Sequence, residues 1–284
     1  MSMITVSPLQ VTPARNGFSL LHSIQGLDGV DTLEYFVEPT NHELEPVSTS
    51  DHALIALLYP AMMTNYSLHF EGELTGELLF KVRHDVMPLL AARDKRLQPV
   101  IITAETVIES DPALIGSGIG TGYSGGVDTF ATLELYSERH APTSHIISHL
   151  ALFGNKYLEA GMLDKGLIER AREFSDAKGY PLTIISSNIE SVIGAVDRLQ
   201  KANSYRQTHS LRSAASAYVL ASKLRRYVFS GSYDYRLVTT GQTADIAYAD
   251  PILMPLLSTV RRQSFWVQER PKLRESLAHL VGLI

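Results

Sequence analysis

Apolar positions follow two rhythms in the N-terminal part of the chain. Runs at Ile4 to Val11, Gly17 to Ile24 and Leu33 to Val37 are rich in strand formers and separated by turns containing Pro, Gly and Asp, which predicts β-strands. From Asp51 to about Met63 the spacing changes. Leu54, Ile55, Leu57, Leu58 and Met62 make this segment apolar on most sides, so it predicts a buried helix that Ser50 or Asp51 can cap. Tyr66 to Phe70 reads as a strand. Thr75 then opens a helix whose Leu78, Val82, Val86 and Leu89 share one face, with Pro88 near a kink or end, and Pro99 to Thr103 reads as a further strand. Together these elements predict a small α+β domain over residues 1–110.

Polarity rises over Glu105 to Pro112, which reads as a linker, and beyond it strands and helices alternate. A glycine-rich strand leads into a helix expected to turn Val127, Phe130, Ala131 and Leu133 inward. His145 to Leu150 is the second predicted strand. Asp164 caps a helix carrying Leu167, Ala171, Phe174 and Ala177 at helical spacing, and Gly179 with Pro181 stops it. Leu182 to Ser186 and Tyr227 to Ser230 are the third and fourth strands, with a longer helical region ending in Thr208 to Leu224 between them. This order predicts an α/β fold over residues 111–284: a doubly wound parallel sheet with ligands at the carboxyl ends of its strands. Gly231 to Ala249 is long for a connection and has little apolar periodicity, a pattern common in lids.

Composition narrows the chemistry. The 284 residues carry a formal net charge of −5, and pairs such as Arg225-Arg226 do not grow into a basic patch, so a nucleic-acid partner is unsupported. The chain holds no cysteine. Disulfides, thiolate zinc sites and a sulfur-carrying nucleophile are therefore excluded. The start of the chain lacks a basic block followed by an apolar one, and the longest apolar run, Ala53 to Met63, is too short to span a bilayer and contains Pro60. A cytoplasmic protein without a membrane partner is expected. His145 and His149, four apart on a predicted strand, lack a third ligand at suitable spacing for a metal.

The segment with the most chemical content is Ser124-Gly125-Gly126-Val127-Asp128-Thr129. Paired glycines let the main chain approach an anion closely, and the helix that follows adds its unsatisfied amides and positive dipole end. Ser124 and Thr129 supply hydroxyls, and Asp128 can cap an amide or hold Mg²⁺ among phosphates. Gly120 to Gly125 also spells GxGxxG, but the predicted second strand leads into Ala151 to Asn155 with no acidic residue for a ribose. No GxxxxGK[ST] occurs.

SGGVDT resembles the SGGxDS signature of the N-type ATP pyrophosphatases (PP-loop proteins), the group that includes NAD synthetase, GMP synthetase and 7-cyano-7-deazaguanine synthase. Thr129 stands where Ser is usual, which keeps the hydroxyl, and the zinc-binding cysteines of the last-named enzyme are missing. The likeness extends over residues 113–262, although only the loop is specific. It implies a HUP-type fold, adenine nucleotide alpha hydrolase-like, and an ATP- and Mg²⁺-dependent ligase of biosynthesis. Such an enzyme releases pyrophosphate and adenylates a carboxylate, amide or ureido oxygen of a small-molecule acceptor for attack by ammonia or an amine. On this reading Ser124, Gly125, Gly126, Val127, Asp128 and Thr129 hold the phosphates with Ser230 and Ser232, while Leu150, Ala151, Leu152 and Phe153 take the adenine. His209 and Arg212, three apart at a helix start, can move a proton and hold the α-phosphate, and can equally be an ordinary polar first turn. Asp250, opening Asp250-Pro251-Ile252-Leu253-Met254-Pro255, resembles a substrate-closing Asp-x-x-Pro-Leu region, with Arg261 and Arg262 in place of the usual lysine. The same motif is compatible with an ATP- or AMP-binding module without chemistry. A homodimer through the N-terminal domain is the default assembly.

Overall fold

The computed structural model describes residues 2–109, 116–154 and 165–259, and the backbone of 264–268. The predicted cap Asp164, the end of the predicted linker, and Arg261 and Arg262 lie outside the described residues. The fold is α/β, with a large, mostly parallel sheet flanked by helices and compatible with double winding. Its strands are β1 (Met3–Val6), β2 (Gln10–Ala14), β3 (Gly17–Gln25), β4 (Thr32–Pro39), β5 (Ser67–Thr75), β6 (Ile102–Ile108), β7 (Gly118–Gly122), β8 (His149–Gly154), β9 (Leu182–Ser187), β10 (Leu224–Ser230) and β11 (Ser264–Gln268). The order is β11-β10-β7-β8-β9-β4-β3-β1-β5-β6, with β2 paired to β3.

Two kinds of pairing meet in this sheet. From β11 to β9 every neighbour is parallel, which requires crossovers through helices: α4 (Val127–Leu135), α5 (Lys165–Lys178), α6 (Ile189–Gln200) and α7 (Tyr205–Tyr218). The N-terminal strands join at β9, where β4 runs antiparallel with Tyr35 opposite Ser187 and Val37 opposite Ile185. Residues 1–110 and 111–284 thus share one hydrogen-bonded sheet. They also share a core, because α1 (Asp51–Thr64) packs against α7 and its residues Ala53 to Met63 are all buried. That total burial follows from the all-round apolar pattern.

Several expectations shift on inspection. The strand read at Pro99 to Thr103 is β6, displaced to Ile102–Ile108, so Thr106 to Ile108 pair with β5 rather than link domains. The helix read from Thr75 is three contiguous pieces: α2 (Gly76–Lys81), a π-helical turn (Val82–Val86) and α3 (Met87–Arg93), with Pro88 just after the π-helical turn, where its missing amide interrupts the hydrogen-bond ladder. The second parallel strand lies at His149–Gly154, and His145 sits in a 3-10 turn (Thr143–His145), so the two histidines share no strand face. On α4, Ala131 and Leu133 are buried, but Val127 and Phe130 are 56% and 42% exposed because this short helix covers the sheet with its middle alone. Ala177 is also exposed. Among the described residues no helix is long and apolar enough to cross a membrane.

Candidate functional site

β7 lies between β8 and β10, and every second residue in it is glycine. Gly118, Gly120 and Gly122 therefore leave one face of the strand without side chains. Neighbours use the space. A Cβ at Gly120 would lie 2.4 Å from Leu224 Cδ1, one at Gly118 2.7 Å from His149 Nδ1, and one at Gly122 3.0 Å from the Tyr227 hydroxyl. The first two glycines of the GxGxxG spelling, Gly120 and Gly122, are thus explained by β10 side chains folding over β7, and Gly118 ahead of them by His149 of β8 together with Leu224.

Beyond β7 the chain turns through Gly125, whose φ of +67° is the left-handed conformation that favours glycine. Gly126 is the N-cap of α4 and supplies no side-chain cap, so an exposed backbone turn opens the helix. Ser124, Gly125, Gly126 and Val127 are all exposed, with Thr129 buried beneath them. The loop is clasped from inside. The Ser124 amide donates to Thr129 Oγ1 at 3.0 Å, the two hydroxyls lie 3.0 Å apart, and the Gly126 amide reaches Ser124 Oγ at 3.4 Å. The Thr129 hydroxyl is thus what holds the turn.

The loop forms one wall of a cleft of about 330 Å³ at the carboxyl ends of β7, β8 and β10. Ser124, Asp128, Thr129 and Ser230 line its polar side; Ala151, Leu152 and Phe153 of β8, with Tyr227 and Phe229 of β10, line its apolar side. Ser230 is fixed by α4, its hydroxyl 2.9 Å from Thr132 Oγ1. Ser213 from α7 also reaches the cleft. Leu150 is buried in the sheet and absent from the lining, because its strand starts later than its composition suggested, and Ser232, exposed beyond the end of β10, is absent as well. A larger polar recess, about 570 Å³, lies beside Arg15, Glu38, Arg172 and Asp176. Its two arginines face two carboxylates, Arg172 meets Glu38 at 2.5 Å, and it contains no amide-rich turn, so it is the weaker candidate.

The other expected site residues gather elsewhere. Arg212 is buried and engaged: its Nη1 donates to Glu190 Oε1 at 2.6 Å, its Nη2 to the Tyr205 carbonyl, and its guanidinium lies 4.5 Å from the Tyr205 ring centroid. It does not line the cleft. His209 Nε2 pairs with Asp245 Oδ1 at 2.8 Å, and Asp245 also accepts from the Ala247 amide at 2.9 Å and from the Tyr233 hydroxyl at 3.3 Å. Despite the cost of burial, these donors hold the Asp245 carboxyl below its ordinary range. Asp250, at the start of α8 (Asp250–Leu257), is buried with Oδ1 unpartnered. Desolvation raises its pKa to about 6 against the opposing influence of Ser210, His209 and Arg93.

Arg93 connects this cluster to the N-terminal half. From the end of α3 it donates to the Thr239 carbonyl at 2.6 Å, Thr243 Oγ1 at 2.6 Å and the Asp245 carbonyl at 2.9 Å, while Gln207 holds the Thr243 carbonyl at 2.7 Å. The segment read as a lid is pinned at several points. Sequence reasoning missed Arg93, whose acceptors lie more than a hundred residues along the chain, and Asp245, whose partner His209 sits 36 residues before it. It also missed Ser213, which its place four residues after His209 on one helix face could have flagged.

A nucleotide and Mg²⁺ fit the cleft's donor set. Exposed amides and hydroxyls suit phosphate oxygens, and a single carboxylate suits a magnesium ion whose other ligands come from phosphate and water. Among the described residues no group of three or more His, Asp or Glu is arranged to hold a metal alone. No protein-family model matches the chain, and comparison with curated proteins and with solved structures returns no match.

Proposed function

We propose that the protein is an ATP-dependent, AMP-forming enzyme of the N-type pyrophosphatase kind, built on a HUP-type doubly wound sheet. The observation that carries this reading is the exposed, uncapped glycine turn at the end of the central parallel strand, opening onto a cleft whose other side is apolar. An acceptor oxygen attacks the α-phosphorus, the bond to the β-phosphate bridge breaks, and pyrophosphate leaves into the Ser124 to Thr129 turn. Mg²⁺ at Asp128 would neutralise charge on the leaving group. Ammonia or an amine then displaces AMP. The proton it gives up passes to solvent, because His209 is paired with Asp245 and does not line the cleft.

The engagement of Arg212 by Glu190 favours a second reading, since it removes the cation expected at the α-phosphate. On that reading the fold binds ATP or AMP and does no chemistry. One assay separates them. The protein incubated with MgATP, ammonium and a panel of carboxylates yields AMP and pyrophosphate in equal amounts if it is the enzyme. Binding without cleavage establishes the module, and release of ADP and phosphate overturns the pyrophosphatase reading.

A further inference from the structure

Tyr227 stands in β10 opposite Gly120, and its buried ring lies along the side-chain-free face of β7. Phe153 arrives from β8 on the far side of that strand and stacks on it, centroids 5.5 Å apart and planes 19° apart, while Phe229 packs at 4.8 Å. Packing accounts for the ring but not for the hydroxyl. Phenylalanine would stack equally well, and among the described residues no hydrogen bond holds the hydroxyl, which belongs to a residue lining the cleft. The Tyr227 hydroxyl reaches Gly122, at the mouth of the cleft, where a Cβ would stand 3.0 Å from it. Burial alone displaces its titration, upward, with no hydrogen bond contributing, so at neutral pH it is an uncharged phenol able both to donate and to accept.

We propose that Tyr227 is a specificity-determining residue whose hydroxyl hydrogen-bonds the nucleoside half of the nucleotide held against Phe153. This rests on the nucleotide reading of the cleft and adds to it a reader on β10, opposite the β8 wall. Gly122 belongs to the device, since any side chain there would press on the hydroxyl.

The test compares two ligands by calorimetry on the full chain: MgATP, which has a nucleoside, and magnesium tripolyphosphate, which fills the turn alone. Tyr227→Phe is expected to weaken MgATP about 5- to 20-fold and leave tripolyphosphate unchanged, the loss of one hydrogen bond. Gly122→Ala, at a position that needs no left-handed backbone, is expected to move affinity the same way. A loss that persists with 2′-deoxy-ATP assigns the contact away from the 2′-hydroxyl; one that vanishes assigns it to that group. Equal MgATP affinity in wild type and Tyr227→Phe overturns the inference and leaves the nucleotide cleft standing, and so does an equal loss for both ligands. Wild-type protein that binds neither ligand overturns the nucleotide reading itself.

Discussion

The Ser124 to Thr129 turn and the Arg93–Asp245–His209 cluster are both rich in polar groups, yet they dispose of them in opposite ways. In the turn, the Ser124 and Thr129 hydroxyls hold one another and take up the Ser124 and Gly126 amides, while residues Ser124 to Val127 stay exposed, so an anion can reach the glycine backbone by displacing only these local contacts. In the cluster the terminal guanidinium nitrogens are already engaged, Arg93 on two carbonyls and a hydroxyl and Arg212 on Glu190, which leaves a buried Nε of each without a partner. Both arginines are more than nine-tenths buried. A charge with its partners already supplied stabilises the fold and has little left to offer a ligand, whereas an uncapped helix start contributes little until an anion arrives. Location in a loop therefore predicts function poorly here; what decides it is whether the hydrogen-bonding capacity is still open.

The contrast breaks most readily at Asp128. Asp128→Asn keeps the helix start and its size but removes the carboxylate, so pyrophosphate release is expected to fall at least about 100-fold, with the unfolding midpoint unchanged. Release at the wild-type rate would sink the enzymatic reading, and a matching loss of stability would place Asp128 with the structural cluster instead.

Arg93 should behave in reverse. Arg93→Ala strands three acceptors in the segment 239–245 and is expected to cost about 2–4 kcal/mol in urea unfolding while MgATP affinity stays near wild type. Arg93→Lys should recover only part, since one ammonium cannot span acceptors that a planar fork reaches together. If Arg93→Ala keeps full stability but loses nucleotide affinity, the division between the two regions is wrong.

These two residues also show what the chain discloses on its own. The turn was legible because its chemistry is local: glycines, hydroxyls and a helix start lie within six consecutive residues. The alternation of strands and helices after residue 116 was legible for the same reason, with β8 misplaced because Ile146 to Ser148 look as strand-like as the residues that pair. Arg93 was illegible. Its acceptors lie more than a hundred residues away, and two of the three are main-chain atoms, which no residue pattern marks. The antiparallel joint of β4 with β9 is equally non-local, and it is what merges two apparent domains into one sheet. Arg212 misled because helical spacing with His209 gave it a face but could not reveal Glu190 on the preceding helix. One signal was available and went unread: glycine at every second position of β7 announces that neighbouring side chains cross it.

The smallest expected effect concerns a third polar group, sealed away from both regions. His52 on α1 is fully buried between His22 of β3, at 5.2 Å, and Tyr35 of β4, at 5.3 Å, with the Thr49 backbone alone favouring its charged form. Desolvation, reinforced by His22, pushes its pKa well below 6.5, so the folded protein keeps it neutral where the unfolded chain binds a proton. The sign follows: above about pH 6.5 the two states hold the same charge at this residue, and stability is lost as pH falls below that value, by at most about 1.4 kcal/mol per pH unit per histidine. Asp250 opposes this. Its raised pKa means the folded state takes up a proton near pH 6 that the unfolded chain binds only near 3.8, so acidification relieves a buried carboxylate and adds stability in that window. A wild-type pH profile sums the two, and His52→Leu separates them, because Asp250 contributes equally to both proteins. The stability of His52→Leu relative to wild type is expected to rise steadily between pH 6.5 and pH 5 in urea titrations and to be flat between pH 7 and pH 8. Parallel profiles across the whole range would mean that His52 titrates alike in the folded and unfolded chains, and that its surroundings admit water the packing does not show.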